Sequence, residues 1–301
     1  MAPWPSLAPF GRRALLASGQ ELFFFEAGDP AAPALLLIHG LGDEADTWRH
    51  VFGPLSERWH VIAPDLPGFG RSGPARRYSL PGVRDALLGL LDALHLPAAS
   101  LMGSSLGAAA AQTMALKAPG RVESLFLVDG TLTVRGGSLN WGLLLMALPI
   151  TGDRIYTGFR RNPQAAHDSL RPYYADLAAL PEADRQFLFQ RVNERVWSDT
   201  QRRAYLGLLQ DVVWSAPRRQ RALLPALAGL HVPTHLIWGE HDRIVPIESA
   251  RALMTQQPQA RLTVLPGAGH LPHQDQPAAF LEAVLAAQPM PGSRQGATDA
   301  V

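Results

Sequence analysis

Cysteine is absent from the 301-residue chain, which excludes disulfide bonds, thiol catalysis and metal sites built on thiolates. Lysine is nearly absent as well, since Lys117 is the only one and almost all the positive charge is arginine. The formal net charge is +1, and the charges are dispersed without basic blocks. Neither nucleic acid nor an anionic membrane is therefore expected as a partner.

Long apolar segments are missing too. The longest, at 141–150, has about half of the roughly 20 residues that a membrane-spanning helix needs. The first thirty residues lack a positively charged start followed by an apolar core, so no secretory signal is predicted. A hydrophobic content of 47% is ordinary for a soluble globule. We expect a cytoplasmic protein without a membrane span, and the sequence does not indicate its oligomeric state.

One stretch, 98–110, reads AASLMGSSLGAAA and organises the rest of the chain. An apolar run ends at Met102, the pattern G-x-S-x-G follows at 103–107, and an alanine-rich helical stretch comes next. This strand, sharp turn and helix form the context in which the motif lifts a serine hydroxyl clear of the strand ends, beside the positive end of the helix dipole. Glycine on both sides avoids collisions with neighbouring backbone. The pattern predicts Ser105 as a nucleophile.

Predicted strands and helices alternate up to residue 130, as in a parallel sheet with helices on both faces. Residues 1–11 are rich in proline and are expected to form a flexible lead-in. The predicted strands are 12–18 and 21–26 (a hairpin), 34–38, 59–64, 98–102 and 122–128. The predicted helices are 47–55, 80–94 and the alanine-rich stretch after Ser105.

Residues 131–230 break this alternation, because no strand pattern is found among them. The predicted helices there are 139–148, 162–170, 182–196, 199–213 and 218–230. Such a block between two sheet strands predicts an inserted helical cap, whose last helix rejoins the core. The alternation resumes with strand 234–238, helix 248–256, strand 261–265 and helix 277–287. The core is therefore expected to span 12–130 and 231–287, and the tail 288–301 is expected to be disordered.

A serine nucleophile needs a base that accepts its proton and an acid that orients the base. His270 follows the last predicted strand. In proteins with open α/β sheets the catalytic residues lie beyond the carboxyl ends of the strands, so His270 is the predicted base. His39 also ends a strand, but its neighbouring glycines indicate a backbone role, with the imidazole bracing loops. His273 forms H-x-x-H with His270, but without a cysteine or a recognisable third ligand a metal site is not predicted.

Three carboxylates compete for the role of the acid. Asp242 follows the strand at 234–238, one strand–helix–strand passage before the His270 loop, so the two side chains can be neighbours. Asp129, which ends the strand after the nucleophile helix, is the main competitor, and Glu240 is a weaker one. Attack of the serine on a carbonyl group forms an oxyanion, which needs two N–H donors. The predicted donors are the backbone N–H groups of Leu106 and Leu41.

Five motifs occur in order: HGLG at 39–42, DLPGFGRS at 65–72, GSSLG at 103–107, GEHDRIVP at 239–246 and GAGHLP at 267–272. In this the chain resembles the α/β-hydrolase superfamily, in its capped serine-hydrolase branch, over about residues 12–287. The resemblance implies a mostly parallel, doubly wound sheet of about eight strands with an inserted helical cap. It implies Ser105 as nucleophile, Asp242 as acid and His270 as base, with no metal or organic cofactor. Asp65 and Arg71 are expected to pair within their loop.

Departures from subfamily patterns narrow the expected activity. Haloalkane dehalogenases and epoxide hydrolases of this fold carry Asp where this chain has Ser105. Proline iminopeptidases typically carry HGGPG instead of HGLG. Hydrolases that cleave carbon–carbon bonds of ring-cleavage products usually have Asn and Trp where this chain has Ser104 and Leu271, which weakens that interpretation. The carboxylesterase, lipase and lactonase group remains.

The apolar stretch in the predicted cap favours an apolar acyl or alkyl group. Its side chains Trp141, Leu144, Leu145 and Met146 either face the substrate or pack the cap on the core. Three arginines, at 154, 160 and 161, either recognise a substrate carboxylate or form a solvated face. We predict a serine hydrolase that cleaves a small ester through an acyl-enzyme. The alternatives are a C–C bond hydrolase and a hydrolase-fold receptor for a small molecule, with slow turnover.

Overall fold

A computed structural model of the chain describes residues 1–132, 134–135 and 141–287. The strands are β1 (Gly11–Leu15), β2 (Glu21–Ala27), β3 (Ala34–Ile38), β4 (His60–Pro64), β5 (Ala99–Ser104), β6 (Val122–Val128), β7 (Thr234–Gly239) and β8 (Arg261–Leu265). They form one sheet in the order β1-β2-β4-β3-β5-β6-β7-β8. The pairs β1–β2 and β2–β4 are antiparallel, and the other neighbouring pairs are parallel.

Helices cover the sheet and fill the segment between β6 and β7. They are α1 (Phe52–Ser56), α2 (Leu80–Ala93), α3 (Leu106–Lys117), α4 (Trp141–Met146), α5 (Pro149–Gly158), α6 (Pro163–Asp168), α7 (Glu182–Trp197), α8 (Asp199–Gln210), α9 (Ala216–Ala228), α10 (Glu248–Gln256), α11 (Pro272–Asp275) and α12 (Pro277–Ala287). The eight mostly parallel strands with flanking helices confirm the predicted fold class.

The central strand β3 is apolar throughout because both faces of the sheet are covered. Leu36 and Ile38 point into the cluster formed with α2 and α3, whereas Leu35 and Leu37 point into the cluster that contains Trp48 and α12. These four of the five β3 side chains are fully buried, each contributing about 1.5–3 kcal/mol relative to exposure. The two clusters hold the carboxyl ends of the strands in fixed positions.

Prolines explain the main differences from the predicted helices. The predicted helix 47–55 is a 3₁₀ turn at Ala45–Trp48 followed by α1, because Pro54 has no N–H to donate and is tolerated only in a first turn. Helix α5 was not expected, yet Pro149 begins it as the first helical residue. Residues 139–140 of the predicted helix 139–148, and the tail expected to be disordered, lie outside the described residues.

Between β6 and β7, neighbours in the sheet, the chain forms α4 to α9. A π-helical turn, Asp211–Ser215, joins α8 to α9, so the predicted helix 199–213 is two segments. Because β6 ends at the carboxyl edge of the parallel strands, this helical segment starts at the edge where Ser105 lies. In the part of the chain that the structure describes, no helix is long and apolar enough to cross a membrane.

Candidate active site

Ser105 lies on the turn between β5 and α3 with a φ of 54°. Only a few per cent of residues other than glycine have positive φ, and such strain costs about 1–3 kcal/mol. A Cβ on Gly103 would lie 2.3 Å from the backbone of Gly107, and one on Gly107 would lie 2.2 Å from the carbonyl oxygen of Ile38. The two glycines therefore let the turn pass close enough to β3 to hold the serine in this conformation.

The His270 imidazole lies in the loop after β8 and bonds to Asp242. Its Nδ1–H donates to Asp242 Oδ2 over 2.9 Å, and both side chains are 1% exposed. Asp242 Oδ1 accepts from the backbone N–H groups of Ile244 (2.7 Å) and Val245 (3.1 Å), which fix the carboxylate. Among the described residues, the buried Nε2 of His270 has no hydrogen-bond partner. His270 and Ser105 line the same cavity.

The structure distinguishes between the three candidate acids by their contacts. Asp242 is bonded to His270, whereas Asp129 lies beside Asp242 and accepts from the Gly239 N–H over 2.9 Å. Burial, and then the nearby Asp242 carboxylate, raise the pKa of Asp129 well above its ordinary range. Glu240 has a half-exposed side chain. The arrangement makes Asp242 the direct partner of the imidazole.

The loop after β3 runs against the turn that carries the serine. A Cβ on Gly40 would lie 3.2 Å from Ser105 Cβ, and the next residue, Leu41, lines the cavity. Leu106 is the first residue of α3, where backbone N–H groups have no partner within the helix. Both predicted oxyanion donors therefore belong to segments that adjoin Ser105.

The loops after β3 and β4, which flank this site, are joined by hydrogen bonds between buried polar groups. His39 Nδ1–H donates to the Gly40 carbonyl (2.8 Å), and its Nε2 accepts from the Leu66 N–H (2.9 Å). Burial lowers the pKa of His39, which keeps the ring neutral for this bridge. Arg71 Nε donates to Asp65 Oδ2 over 2.8 Å. The predicted bracing role of His39 and the predicted Asp65–Arg71 pair are confirmed.

The second histidine of H-x-x-H, His273, is part of the core. Its Nε2 lies 2.9 Å from Thr47 Oγ1, and its ring stacks on Trp48 with centroids 4.4 Å apart. Burial lowers its pKa to about 3, so the ring is neutral at physiological pH. This stacking explains a histidine that the sequence pattern left without a role.

A cavity of about 320 Å³ lies between the sheet edge and the inserted helices. Its lining is largely apolar and aromatic, and it includes the side chains of Met146, Phe159, Leu170, Tyr173, Val192 and Tyr205. Ser105, Leu41 and His270 border the same space. The cavity is within the range of about 300–1,000 Å³ that is typical of ligand pockets.

Of the four α4 side chains that the sequence offers as a possible substrate pocket, only Met146 lines this cavity in the described part of the chain. Met146 and Gly142, four residues apart, line it, whereas Trp141 (70% exposed) and Leu145 (46% exposed) lie on the outer face. Residues four apart share one face of a helix, so the two pairs point in different directions. Leu144 is not among the lining residues in the described part of the chain. Of the two alternatives given for these four side chains, facing a substrate fits the position of Met146 alone.

The charged side chains at the cavity are paired. Arg195 Nη2 donates to Asp43 Oδ1 (2.6 Å) and lies 3.2 Å from Glu44 Oε1. Arg191 Nε lies 2.5 Å from the same Glu44 oxygen. Burial works to raise the pKa of Asp43, but Arg195, His39 and hydrogen bonds together outweigh it, so the pKa is lowered. The network joins α7 to the loop after β3.

Sequence reasoning missed Arg195 and the cavity tyrosines, because helix faces cannot be assigned before the packing is known. The predicted carboxylate-binding arginines are elsewhere. Arg160 Nη2 pairs with Asp199 over 2.7 Å, and Arg154 and Arg161 are exposed. None of the three is among the described residues that line the cavity. Asp43 and Glu44, directly after HGLG, are the sequence signal for Arg195, because two carboxylates that become buried need a cationic partner.

The chain belongs to the family with the alpha/beta hydrolase fold, whose model matches residues 33–277. It is 31% identical to an uncharacterized protein of Mycobacterium tuberculosis, over 84% of this chain and 74% of that protein. It is 28% identical to Lipase 1 of Psychrobacter immobilis (85% and 77% covered). It is also 28% identical to 2-hydroxy-6-oxononadienedioate/2-hydroxy-6-oxononatrienedioate hydrolase 2 of Pseudomonas putida (83% and 85% covered).

Solved structures agree with this assignment. Cfl2 of Burkholderia cenocepacia superposes with a TM-score of 0.81 at 22% identity, covering 94% of this chain and 97% of that one, which shows the shared fold. The predicted superfamily is confirmed. The protein is an α/β hydrolase, and the proteins that it resembles include a lipase and a 2-hydroxy-6-oxononadienedioate/2-hydroxy-6-oxononatrienedioate hydrolase.

Proposed function

We propose that the protein is a serine hydrolase that cleaves carboxylic esters with an apolar acyl or alkyl group. The observation that carries this proposal is a serine on a strained turn that shares an apolar cavity with a buried His270–Asp242 pair. An activated nucleophile needs a base within reach and a third group that orients the base. Ser105, His270 and Asp242 fit those three roles.

The proposed reaction follows from the hydrogen-bonding capacity of each group. His270 Nε2 accepts the Ser105 proton as Oγ attacks the ester carbonyl, and Asp242 stabilises the imidazolium that forms. The backbone N–H groups of Leu41 and Leu106 stabilise the oxyanion. The imidazolium then protonates the leaving alcohol. A water molecule, deprotonated by His270, hydrolyses the acyl-enzyme and restores the serine.

The cavity supports neutral, apolar substrates. Arg195 is the cationic side chain among the lining residues of the described chain, and Asp43 and Glu44 already neutralise it. A substrate carboxylate would have to compete with both. The side chains around the remaining space are mostly aliphatic or aromatic. Burying an apolar acyl chain against them is favourable, because it removes apolar surface from water.

A C–C bond hydrolase is the second candidate, because relatives of this chain include hydrolases of that class. The name of the Pseudomonas putida relative specifies a carboxylate-bearing substrate, and such a substrate would need a cation to bind. Arg195 could serve only if it left Asp43. The two activities are separated by comparing hydrolysis of a neutral ester with hydrolysis of a 2-hydroxy-6-oxo-dienoate.

The test is release of p-nitrophenol from esters of increasing acyl length, acetate to dodecanoate, by the wild type and by Ser105→Ala. Ser104→Ala is the matched control. Ser104 is next to Ser105 in the chain, but its side chain is buried at the end of β5. We expect release that depends on Ser105 and not on Ser104. Release that survives Ser105→Ala would contradict the mechanism, and turnover of the dienoate alone would favour the second candidate. A folded protein that binds such compounds without turnover would instead be a receptor.

A further inference from the structure

Two carboxyl groups are buried together behind the imidazole. Asp129, at the end of β6, is fully buried, and one oxygen each from Asp129 and Asp242 and one nitrogen of His270 lie within 4.8 Å of one another. Two negative charges this close in a buried site repel each other, so one of the two carboxyl groups is favoured to stay protonated. A protonated carboxyl group can donate a hydrogen bond to its ionised neighbour, whereas two ionised carboxylates cannot bond to each other, because neither has a hydrogen to donate.

The surroundings decide which of the two carries the proton. Asp242 accepts three hydrogen bonds, from His270 Nδ1–H and from the N–H groups of Ile244 and Val245. Asp129 accepts one, from the Gly239 N–H to Oδ1, and its buried Oδ2 has no recorded donor in the described chain. Hydrogen bonds from donors favour the ionised carboxylate. Asp242 is therefore the ionised member.

We propose that Asp129 is a positioning residue, a neutral carboxylic acid whose O–H donates to Asp242 and holds that carboxylate against His270. This role deepens the proposed function and rests on it. The titratable groups that face Asp129 within the described chain are Asp242 in the loop after β7, Asp275 in α11 and His270 after β8. Two of these three are acidic, which favours the neutral form of Asp129 further.

The backbone allows a clean substitution at this position. Asp129 has a φ of 46°, a conformation that asparagine adopts at least as readily as aspartate. An asparagine amide can donate to Asp242 through its NH₂ and accept from the Gly239 N–H through its oxygen. Asp129→Asn therefore preserves both bonds and the neutral charge, whereas Asp129→Ala removes both bonds.

The kinetic test compares these two variants over a range of pH. We expect Asp129→Ala to lose about tenfold in kcat/KM, from the lost hydrogen bond to a charged group, and Asp129→Asn to recover most of that loss. The acidic limb of the pH–rate profile should keep its position in Asp129→Asn. If Asp129 were ionised in the wild type, removing its charge beside the imidazolium would move that limb to lower pH by about 1–3 units and overturn the proposal.

An infrared measurement tests the proton directly and needs no turnover. The difference spectrum between the wild type and Asp129→Asn at neutral pH should show the carbonyl stretch of a protonated carboxyl group. Asp275→Asn is the control, because the pKa of Asp275 is also raised by burial, yet its carboxyl accepts two backbone N–H bonds. A band that disappears in Asp242→Asn instead, or no band at all, would refute the inference. A protein with the band but without esterase activity would refute only the proposed function.

Discussion

Arg195 of α7 and Asp43 of the loop after β3 are joined by a hydrogen bond of 2.6 Å. The Arg195 side chain is 10% exposed and that of Asp43 is 19% exposed, so the pair is largely removed from solvent. Asp43 follows the loop segment that contains Leu41, the proposed oxyanion donor. The helices between β6 and β7 are thereby attached to a segment of the proposed active site.

Removing Arg195 should therefore destabilise the protein. Arg195→Gln leaves Asp43 without its cation, while Glu44 keeps Arg191, and uncompensated buried charge costs about 3–5 kcal/mol. Chemical denaturation monitored by circular dichroism measures the free energy of unfolding. The control is Arg185→Gln, which breaks an exposed pair with Glu182 and should leave stability unchanged. Equal effects of the two variants would argue against the buried network.

Ser105→Gly should separate strain from catalysis. Both Ser105→Ala and Ser105→Gly remove the nucleophile and should lower kcat by about 10⁴-fold or more. Because Ser105 has a φ of 54°, glycine relieves strain of about 1–3 kcal/mol that alanine retains. We expect Ser105→Gly to melt at a higher temperature than Ser105→Ala. A lower melting temperature for the glycine variant would show that the turn is not strained.

Gly107 should tolerate no side chain. A Cβ there would lie 2.2 Å from the Ile38 carbonyl oxygen, so Gly107→Ala must push α3 away from β3. We expect a loss of stability of at least about 2 kcal/mol, as for other overpacked core positions, together with a loss of activity. Gly158→Ala is the matched control, since that helical glycine has no atom within 4 Å of the added Cβ. It should gain about 0.5–1 kcal/mol.

His273 should make stability depend on pH. Its pKa is about 3 in the folded chain, below the value of about 6.5 for an exposed histidine, so the unfolded chain binds more protons between these values. The contribution of neutral His273 to the free energy of unfolding is complete above about pH 6.5 and is lost as the pH falls towards 3. Between pH 6.5 and 5 the wild type should lose about 1–2 kcal/mol more than His273→Gln. Identical pH dependence in the two proteins would contradict a neutral, buried His273.

The sequence predicts the sheet and the positions of Ser105, Asp242 and His270 because each lies just beyond a strand within a glycine-rich loop. It left Asp129 and Asp242 as competitors, since both end or follow strands that are neighbours in the sheet. In the structure, the hydrogen bond to His270 Nδ1 distinguishes Asp242 from Asp129. The cavity wall was predicted less well, because which face of α4 points inward depends on contacts with helices distant in the chain.

The two faces of α4 make this last point testable. Met146 lines the cavity, whereas Leu145, next to it in the chain, is 46% exposed. Met146→Ala should enlarge the acyl site and raise the rate for long relative to short p-nitrophenyl esters, by about tenfold for the methylenes newly accommodated. Leu145→Ala removes a similar volume from the outer face and should leave the ratio as it is. A shift in chain-length preference with Leu145→Ala but not with Met146→Ala would mean that α4 turns its other face to the substrate.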